Sequence, residues 1–283
     1  MAPKRVWLIT GASSGFGLEL ARVAASQGDA VIATSRIPDK IPKLHGVTPV
    51  ALDHNEPLPK LKEAINAIVA IYGTIDIVVN NAAYVQVGTV EESSPEETLR
   101  QFQANTFGPI NVYRALLPHM RWKGGGTFVT IGSMAAWYPM NGCNLYNASK
   151  AALRWLVIGL AEEIKDFGIR HCLIEPGFFR TGLLTPGANL TSTSPTNRLP
   201  AYEKLNAKTD SDFAAFNGNQ AGDPVRGARI VYDVVTESGI AAGRELPGFF
   251  PLGSDASVEI AKTARNVLEA IKEWGDIASM SDF

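Results

Sequence analysis

The sequence predicts an α/β protein built on one doubly wound, Rossmann-like parallel β-sheet with helices on both faces. Three observations predict it. Short apolar runs alternate with longer stretches of helical period from one end of the chain to the other. The first apolar run is followed at once by a glycine-rich turn and a helix. No repeat, linker or shift of composition divides the 283 residues, so residues 1–283 are expected to form one domain, with a substrate-loop region at about 178–222 set within it.

Residues 5–9 are the first strand. Thr10-Gly11-Ala12-Ser13-Ser14-Gly15-Phe16-Gly17 follows, and then a helix from Leu18. Glycines let the backbone turn sharply and approach a phosphate, and the helix start offers free N–H groups and a positive dipole end to an anion. Residues 29–34 are the second strand. A carboxylate at its end would hold ribose hydroxyls, but Thr34-Ser35-Arg36 stands there. Arg36 suits a 2′-phosphate, which favours NADP over NAD, although Asp39 is close in sequence. Residues 47–52 form a third strand ending in Asp53, which either caps the next helix (58–72) or bonds an adenine amino group. The fourth strand, 75–79, runs into Asn80-Asn81-Ala82-Ala83, amides placed to bond a cofactor or brace the sheet.

Ser94-Pro95-Glu96-Glu97 is a helix start with a capping box. The helix heads for Met120 but meets Gly108-Pro109. Proline has no N–H to give the carbonyl four residues back, so a local break is expected, with the Asn105 carbonyl free to hold a water. Residues 127–131 form the next strand and 148–164 a helix apolar on more than one face, covered by the sheet and by either a partner subunit or a second layer of the same chain. Strand 169–175 ends in Pro176-Gly177. The stretch to Gly222 follows, with a mobile loop expected at 189–198. Asp223-Pro224 starts a helix to about Thr236, residues 246–252 are a weak last strand, and Ser254 opens the final helix.

The chemistry centres on residues 133–150. Tyr146 and Lys150 are four apart, so a helix sets their Cβ atoms about 5–6 Å apart on one face. A phenol titrates near ~10, and a fixed ammonium beside it lowers that value, which is one way to make tyrosine a general acid or base. Ser133, at a strand end, is placed to fold back towards Tyr146 and bond a substrate oxygen.

Together these pieces resemble the short-chain dehydrogenase/reductase family, and in particular its NADP-preferring members with an Asn-Ser-Tyr-Lys tetrad. The resemblance rests on Thr10-Gly11…Gly15-Phe16-Gly17, Asp53, Asn80-Asn81-Ala82, Asn105, Ser133, Tyr146…Lys150, Pro176-Gly177…Thr181 and Leu252-Gly253-Ser254-Asp255. It implies a catalytic tetrad of Asn105, Ser133, Tyr146 and Lys150. It implies NADP(H) contacts from Gly11, Ser13, Ser14, Gly15, Phe16 and Gly17, from Ser35, Arg36 and Asp53, and from Asn81 and Ala82. Further contacts are implied from Tyr146, Lys150, Pro176, Gly177, Phe179 and Thr181. The implied reaction moves a hydride from nicotinamide C4 to a carbonyl carbon. Ser133 and Tyr146 bond the oxygen, Tyr146 delivers the proton, and Lys150 bonds the nicotinamide ribose. Asn105 holds the water that links Lys150 to solvent. One departure is Ala83, where the family usually has glycine; a positive φ there would strain it.

The residues expected to face substrate are Tyr84, Met134, Trp137, Tyr138, Met140, Cys143, Phe178, Phe179, Leu183 and Leu184. Most are large and apolar, which favours a bulky apolar ketone or secondary alcohol. Two other readings share the cofactor: a non-redox isomerase, epimerase or dehydratase, and a silent dinucleotide sensor. A net charge of −2 without a Lys/Arg cluster gives no nucleic-acid surface. No run of 18 apolar residues spans a membrane, and the apolar run 6–9 is too short for a signal peptide. The four histidines lack ligand spacing, so no metal is expected. Cys143 and Cys172, without a partner motif, suit a reducing, cytoplasmic setting. A homodimer or homotetramer is expected from the resemblance and the apolar 148–164 helix.

Overall fold

The computed structural model describes residues 4–283; the first three residues of the expected domain lie outside it. In chain order the elements begin β1 (Val6–Ile9), α1 (Gly15–Ser26), β2 (Ala30–Ser35), β3 (Val47–Ala51), α2 (Leu58–Tyr72), β4 (Ile77–Asn80) and β5 (Val85–Val87). Next come α3 (Pro95–Phe102), α4 (Gly108–Lys123), β6 (Gly126–Ile131), α5 (Asn144–Ile164) and β7 (Ile169–Pro176). The chain ends with β8 (Leu190–Ser192), α6 (Glu203–Phe216), α7 (Pro224–Val235), β9 (Phe249–Leu252) and α8 (Ser254–Ser279).

Seven strands form one parallel sheet in the order β3-β2-β1-β4-β6-β7-β9. The doubly wound expectation therefore holds. Because side chains alternate across a strand, β1 sends Val6 and Leu8 to one face and Trp7 and Ile9 to the other. The first face packs against α2, α4 and α5 through Leu61, Ile65, Val112, Leu116, Leu153 and Val157. The second packs against α1 and α7 through Leu20, Ala21, Ala24, Ala228 and Val231. All four residues of β1 and of β4 are buried, as strands covered on both faces must be.

Two expectations change. The chain does not break at Gly108-Pro109: residues Gln103–Phe107 form a π turn that joins α3 to α4. The wider turn absorbs the proline at the start of α4, where a missing N–H costs least. Residues 189–198 are not a loose loop either. β8 pairs in parallel with β5, Val85 to Leu190 and Val87 to Ser192, and α6 follows. The Ser94 capping box forms, with Glu97 N–H donating to Ser94 Oγ and Ser94 N–H to Glu97 Oε2. Asp223 caps α7 through the Val225 and Arg226 amides.

Candidate active site

Strand order reverses between β1 and β4, and ligands of open α/β sheets bind at the carboxyl ends of strands at such a point. Here those ends are Thr10-Gly11 and Asn80-Asn81. Thr10 Oγ1 accepts from the Asn81 and Ala82 amides, and Asn81 Nδ2 donates to the Thr10 and Gly11 carbonyls at 2.9 and 3.1 Å. Asn80 Nδ2 donates to the Pro109 carbonyl. Both amides thus brace the sheet. Gly11 has φ +65°, and a Cβ there would lie 2.7 Å from Ala82 Cα. At Gly17 a Cβ would meet Asn81 Nδ2 and the Gly11 carbonyl. Glycine is required at both places by close backbone approach.

A cavity of about 860 Å³ opens over these strand ends. It is lined by Gly11, Ser13, Ser14, Gly15 and Phe16, at the start of α1, and by Ser35, Arg36 and Asp53, at or just after the ends of β2 and β3. Asn81, Ala82, Ser133, Tyr146 and Lys150 line it as well, as do Pro176, Gly177, Phe179 and Thr181, at and after the end of β7. Two residues of the expected set do not line it. Gly17 lies beneath the turn. Asn105 is fully buried behind the wall, where Oδ1 accepts from the Tyr84 amide and Nδ2 donates to the Tyr84 carbonyl and to Ser149 Oγ.

Tyr146 and Lys150 sit on the first two turns of α5, both buried. Lys150 Nζ donates to the Ile131 carbonyl at 2.9 Å, at the end of β6 and two residues before Ser133. Burial pulls the Lys150 ammonium down to about 8, against the raising influence of Glu175. The Tyr146 phenol does not follow the expected downward shift. Burial pushes it up to about 12, and the Ser133 hydroxyl beside it pulls only partly back. Desolvation of a phenolate outweighs the neighbouring groups that the protein itself provides.

Arg36 is exposed and, among the described residues, in no ion pair, so Asp39 does not neutralise it. Lys40, which was not anticipated, also lines the cavity. Asp53 does not cap α2, whose N-cap is Pro57; its Oδ1 instead accepts from the Asn55 amide and side chain. Among described residues other than glycine, only Glu237 has a positive φ, so Ala83 is unstrained.

Of the residues expected to face substrate, Tyr84, Met134, Tyr138, Met140 and Cys143 line the cavity, as do Phe178, Phe179, Leu183 and Leu184. Trp137 does not. Its indole N–H donates to Glu175 Oε2, and Arg154 stacks over its ring at 4.1 Å while pairing with the same carboxylate. These contacts, and packing against the cluster of Met134, Ala256 and Ile260, occupy the indole outside the cavity lining. Polar residues missed in sequence also reach the cavity: Gln86, Arg100, Asn189, Thr191 and Gln220. Their signal is long-range, since Gln86, Asn189 and Thr191 arrive through the β5–β8 pairing.

The segment 178–222, several residues of which line the cavity, is tied down by two carboxylates. Glu97 accepts from the Ser194 amide and Thr193 Oγ1. Glu92 accepts from the Leu199 amide at 2.7 Å and from Asn206 Nδ2 at 2.8 Å. At the other side, the Phe178 amide donates to Asp255 at the start of α8.

The family model for short chain dehydrogenases matches residues 5–189, and the chain belongs to that family. It is 32% identical to the oxidoreductase BOA17 of Botryotinia fuckeliana, over 98% of this chain and 99% of that one. A solved short-chain dehydrogenase from Streptomyces avermitilis superposes with a TM-score of 0.85 at 33% identity, covering 98% of this chain and all of that one. A gluconate 5-dehydrogenase from Burkholderia cenocepacia, solved with NADP and tartrate, matches at 29% identity and a TM-score of 0.61, over 65% of this chain and 74% of that one. The protein is thus a short-chain dehydrogenase/reductase, an oxidoreductase with a Rossmann-like fold. Among its described residues no helix is long and apolar enough to cross a membrane.

Proposed function

We propose that the protein is an NADP(H)-dependent oxidoreductase that interconverts a bulky, largely apolar ketone and its secondary alcohol. The observation that carries this reading is the meeting of Ser133, Tyr146 and Lys150 in one cavity with the glycine turn and two cations, Arg36 and Lys40, that form no ion pair among the described residues. The residues present fit a dinucleotide. The start of α1 has no side-chain cap, because Ser14 makes no cap bond, so its N–H groups are available to a pyrophosphate. The packing at Gly11 and Gly17 keeps that approach open. Arg36 and Lys40 suit a 2′-phosphate. Bound NADPH would supply the hydride.

The chain's own groups do the rest. Ser133 and Tyr146 donate to the substrate oxygen as negative charge develops there. The raised value of Tyr146 keeps its proton on the phenol at neutral pH, as a donor requires. Lys150, held by the Ile131 carbonyl, bonds the nicotinamide ribose and supplies positive charge beneath the phenol. Asn105 keeps the π turn and the Tyr84 backbone in place beside them, and its carbonyl holds the water that returns protons to Lys150. Segment 178–222 covers the substrate. The outer face of α5, where Trp155 is 69% exposed, is the surface through which copies assemble as dimers or tetramers. The setting is cytoplasmic.

The test is tryptophan quenching with NADPH and NADH, followed by NADPH absorbance against a panel of bulky ketones. The expected result is tighter NADPH binding and its consumption with at least one ketone. Absence of binding to either dinucleotide overturns the reading from the glycine turn onward.

A further inference from the structure

Among the described residues, seven buried side-chain atoms have no hydrogen-bond partner. Three of the residues that carry them line the cavity: His54, Asn55 and Gln220. His54 and Asn55 flank Asp53 at the dinucleotide end. Gln220 stands alone in the covering segment.

Gln220 is 1% exposed and fixed at two points. Its main-chain carbonyl accepts from Arg180 Nε and Nη2 at 3.3 and 3.2 Å. Its side-chain Oε1 accepts from the Gly218 amide at 2.9 Å. That second bond settles which way the amide faces. An N–H needs an acceptor, and an amide nitrogen is not one. The oxygen therefore faces Gly218, and the free group is the NH₂.

The surroundings offer this NH₂ nothing. Phe213 shares the cavity wall with it. Phe178, whose carbonyl takes the Gly222 amide, packs edge-to-face on Phe216 at 4.7 Å. Phe213, like Met140 and Leu183, packs against the buried cluster that contains Tyr146 and Cys143, which puts this wall beside the catalytic tyrosine. A buried donor without a partner is costly, and native folds rarely keep one without a reason. The atom that completes it has to be an acceptor. A ketone, ether, ester or hydroxyl oxygen qualifies, whereas a hydrocarbon or an ammonium group does not.

We propose that the Gln220 amide binds a second oxygen of the substrate, apart from the one that Ser133 and Tyr146 hold. The substrates are then bulky ketones that carry a further acceptor oxygen within a mainly apolar frame. This rests on the ketone-reductase reading above and narrows it.

The test uses two matched ketones, one bearing a remote methoxy group and the other an ethyl group in its place. In the unaltered protein kcat/KM is expected to favour the methoxy ketone by about 10–100-fold, the discrimination that a buried, otherwise unpaired donor provides. In Gln220→Leu that ratio should fall to about one, mainly through KM, with the NADPH dissociation constant unchanged. Gln220→Glu keeps the oxygen at Gly218 and turns a second oxygen towards the ligand, so it should reverse the preference even if the leucine variant folds poorly. An equal rate on both ketones in the unaltered protein overturns the proposal. A ratio that survives Gln220→Leu also overturns it, as does a loss confined to NADPH affinity. Failure of the unaltered protein to bind any dinucleotide is a different result and overturns the reductase reading itself.

Discussion

The two sides of the cavity are built by different means. The side proposed for the dinucleotide is made of backbone and small residues close to one another in the sheet: Gly11 against Ala82, and Gly17 against Asn81. The side proposed for the substrate is a segment whose hold on the body comes from buried carboxylates about a hundred residues away, Glu97 to Thr193 and Glu92 to Leu199 and Asn206. The first wall is specified by what is missing from its residues, the second by what its partners carry. The first should fail by crowding and the second by the loss of charge.

Where the walls meet, the largest effect is expected. Tyr146→Phe removes the proton donor and should lower kcat by about 10²–10⁴-fold, with a far smaller change in NADPH quenching; unchanged turnover would sink the acid/base role. Next is Gly17→Ala. Its methyl meets Asn81 and the Gly11 carbonyl, so NADPH affinity should fall by roughly 10–100-fold, the range expected for overpacking. The KM for ketone at saturating NADPH should move far less. Arg36→Asp should shift the NADPH-to-NADH preference by about 10–100-fold towards NADH, read from the two dissociation constants. A preference ratio that stays put refutes the assignment of Arg36.

The other wall gives the smaller effects. Glu92→Gln weakens charge-assisted bonds to Leu199 and Asn206 and should raise ketone KM by about 5–10-fold with NADPH affinity unaffected. If both constants move together, the walls are not independent. Acid should act in the same direction. Burial pushes the Glu92 carboxyl up, but bonds from Leu199, Thr89 and Asn206 outweigh it and hold the group below its ordinary 4.5. A depressed carboxylate contributes its full stabilisation above the unfolded value and loses it as pH falls through the folded one. Protection of the 190–206 amides in hydrogen exchange should therefore decline below about pH 4.5, before the sheet amides follow. Lys150 sets the alkaline limit. It is charged below about 8 and neutral above, so kcat/KM should fall as pH rises through that value. A profile flat to about pH 10 would exclude a charged Lys150 from the mechanism.

The contrast also explains what could be read before the structure. The β1–turn–α1 unit is local, and its glycines mark it. The strands of the main sheet announce themselves as apolar runs. α6 does not, because the only residues it buries are polar, Asn206 and Thr209, so no apolar stripe betrays the helix. β8 is three residues long and is a strand only because β5 lies beside it. Trp137 looked like a substrate contact because it is large and near Ser133; its contacts with Glu175 and Arg154 are invisible along the chain. At Gly108-Pro109 the proline was legible, but the choice between a break and a π turn was made by the packing of α3 and α4 on their neighbours. The expected fall in the Tyr146 value failed for a similar reason, since burial is a property of the assembled site.

The strand order has a consequence for synthesis. β2 pairs with β1, β3 with β2, β4 with β1, β6 with β4, β7 with β6 and β9 with β7. The small pair obeys the same rule, β8 docking on β5. After β1, every strand of the main sheet has one neighbour that was made before it. As the chain leaves the ribosome, each newly emerged strand finds its template edge already present, first outward from β1 to β3 and then from β4 to β9. An all-parallel sheet is a slow topology, with unpaired edges that invite aggregation. Vectorial growth shortens the time for which any one edge stands open.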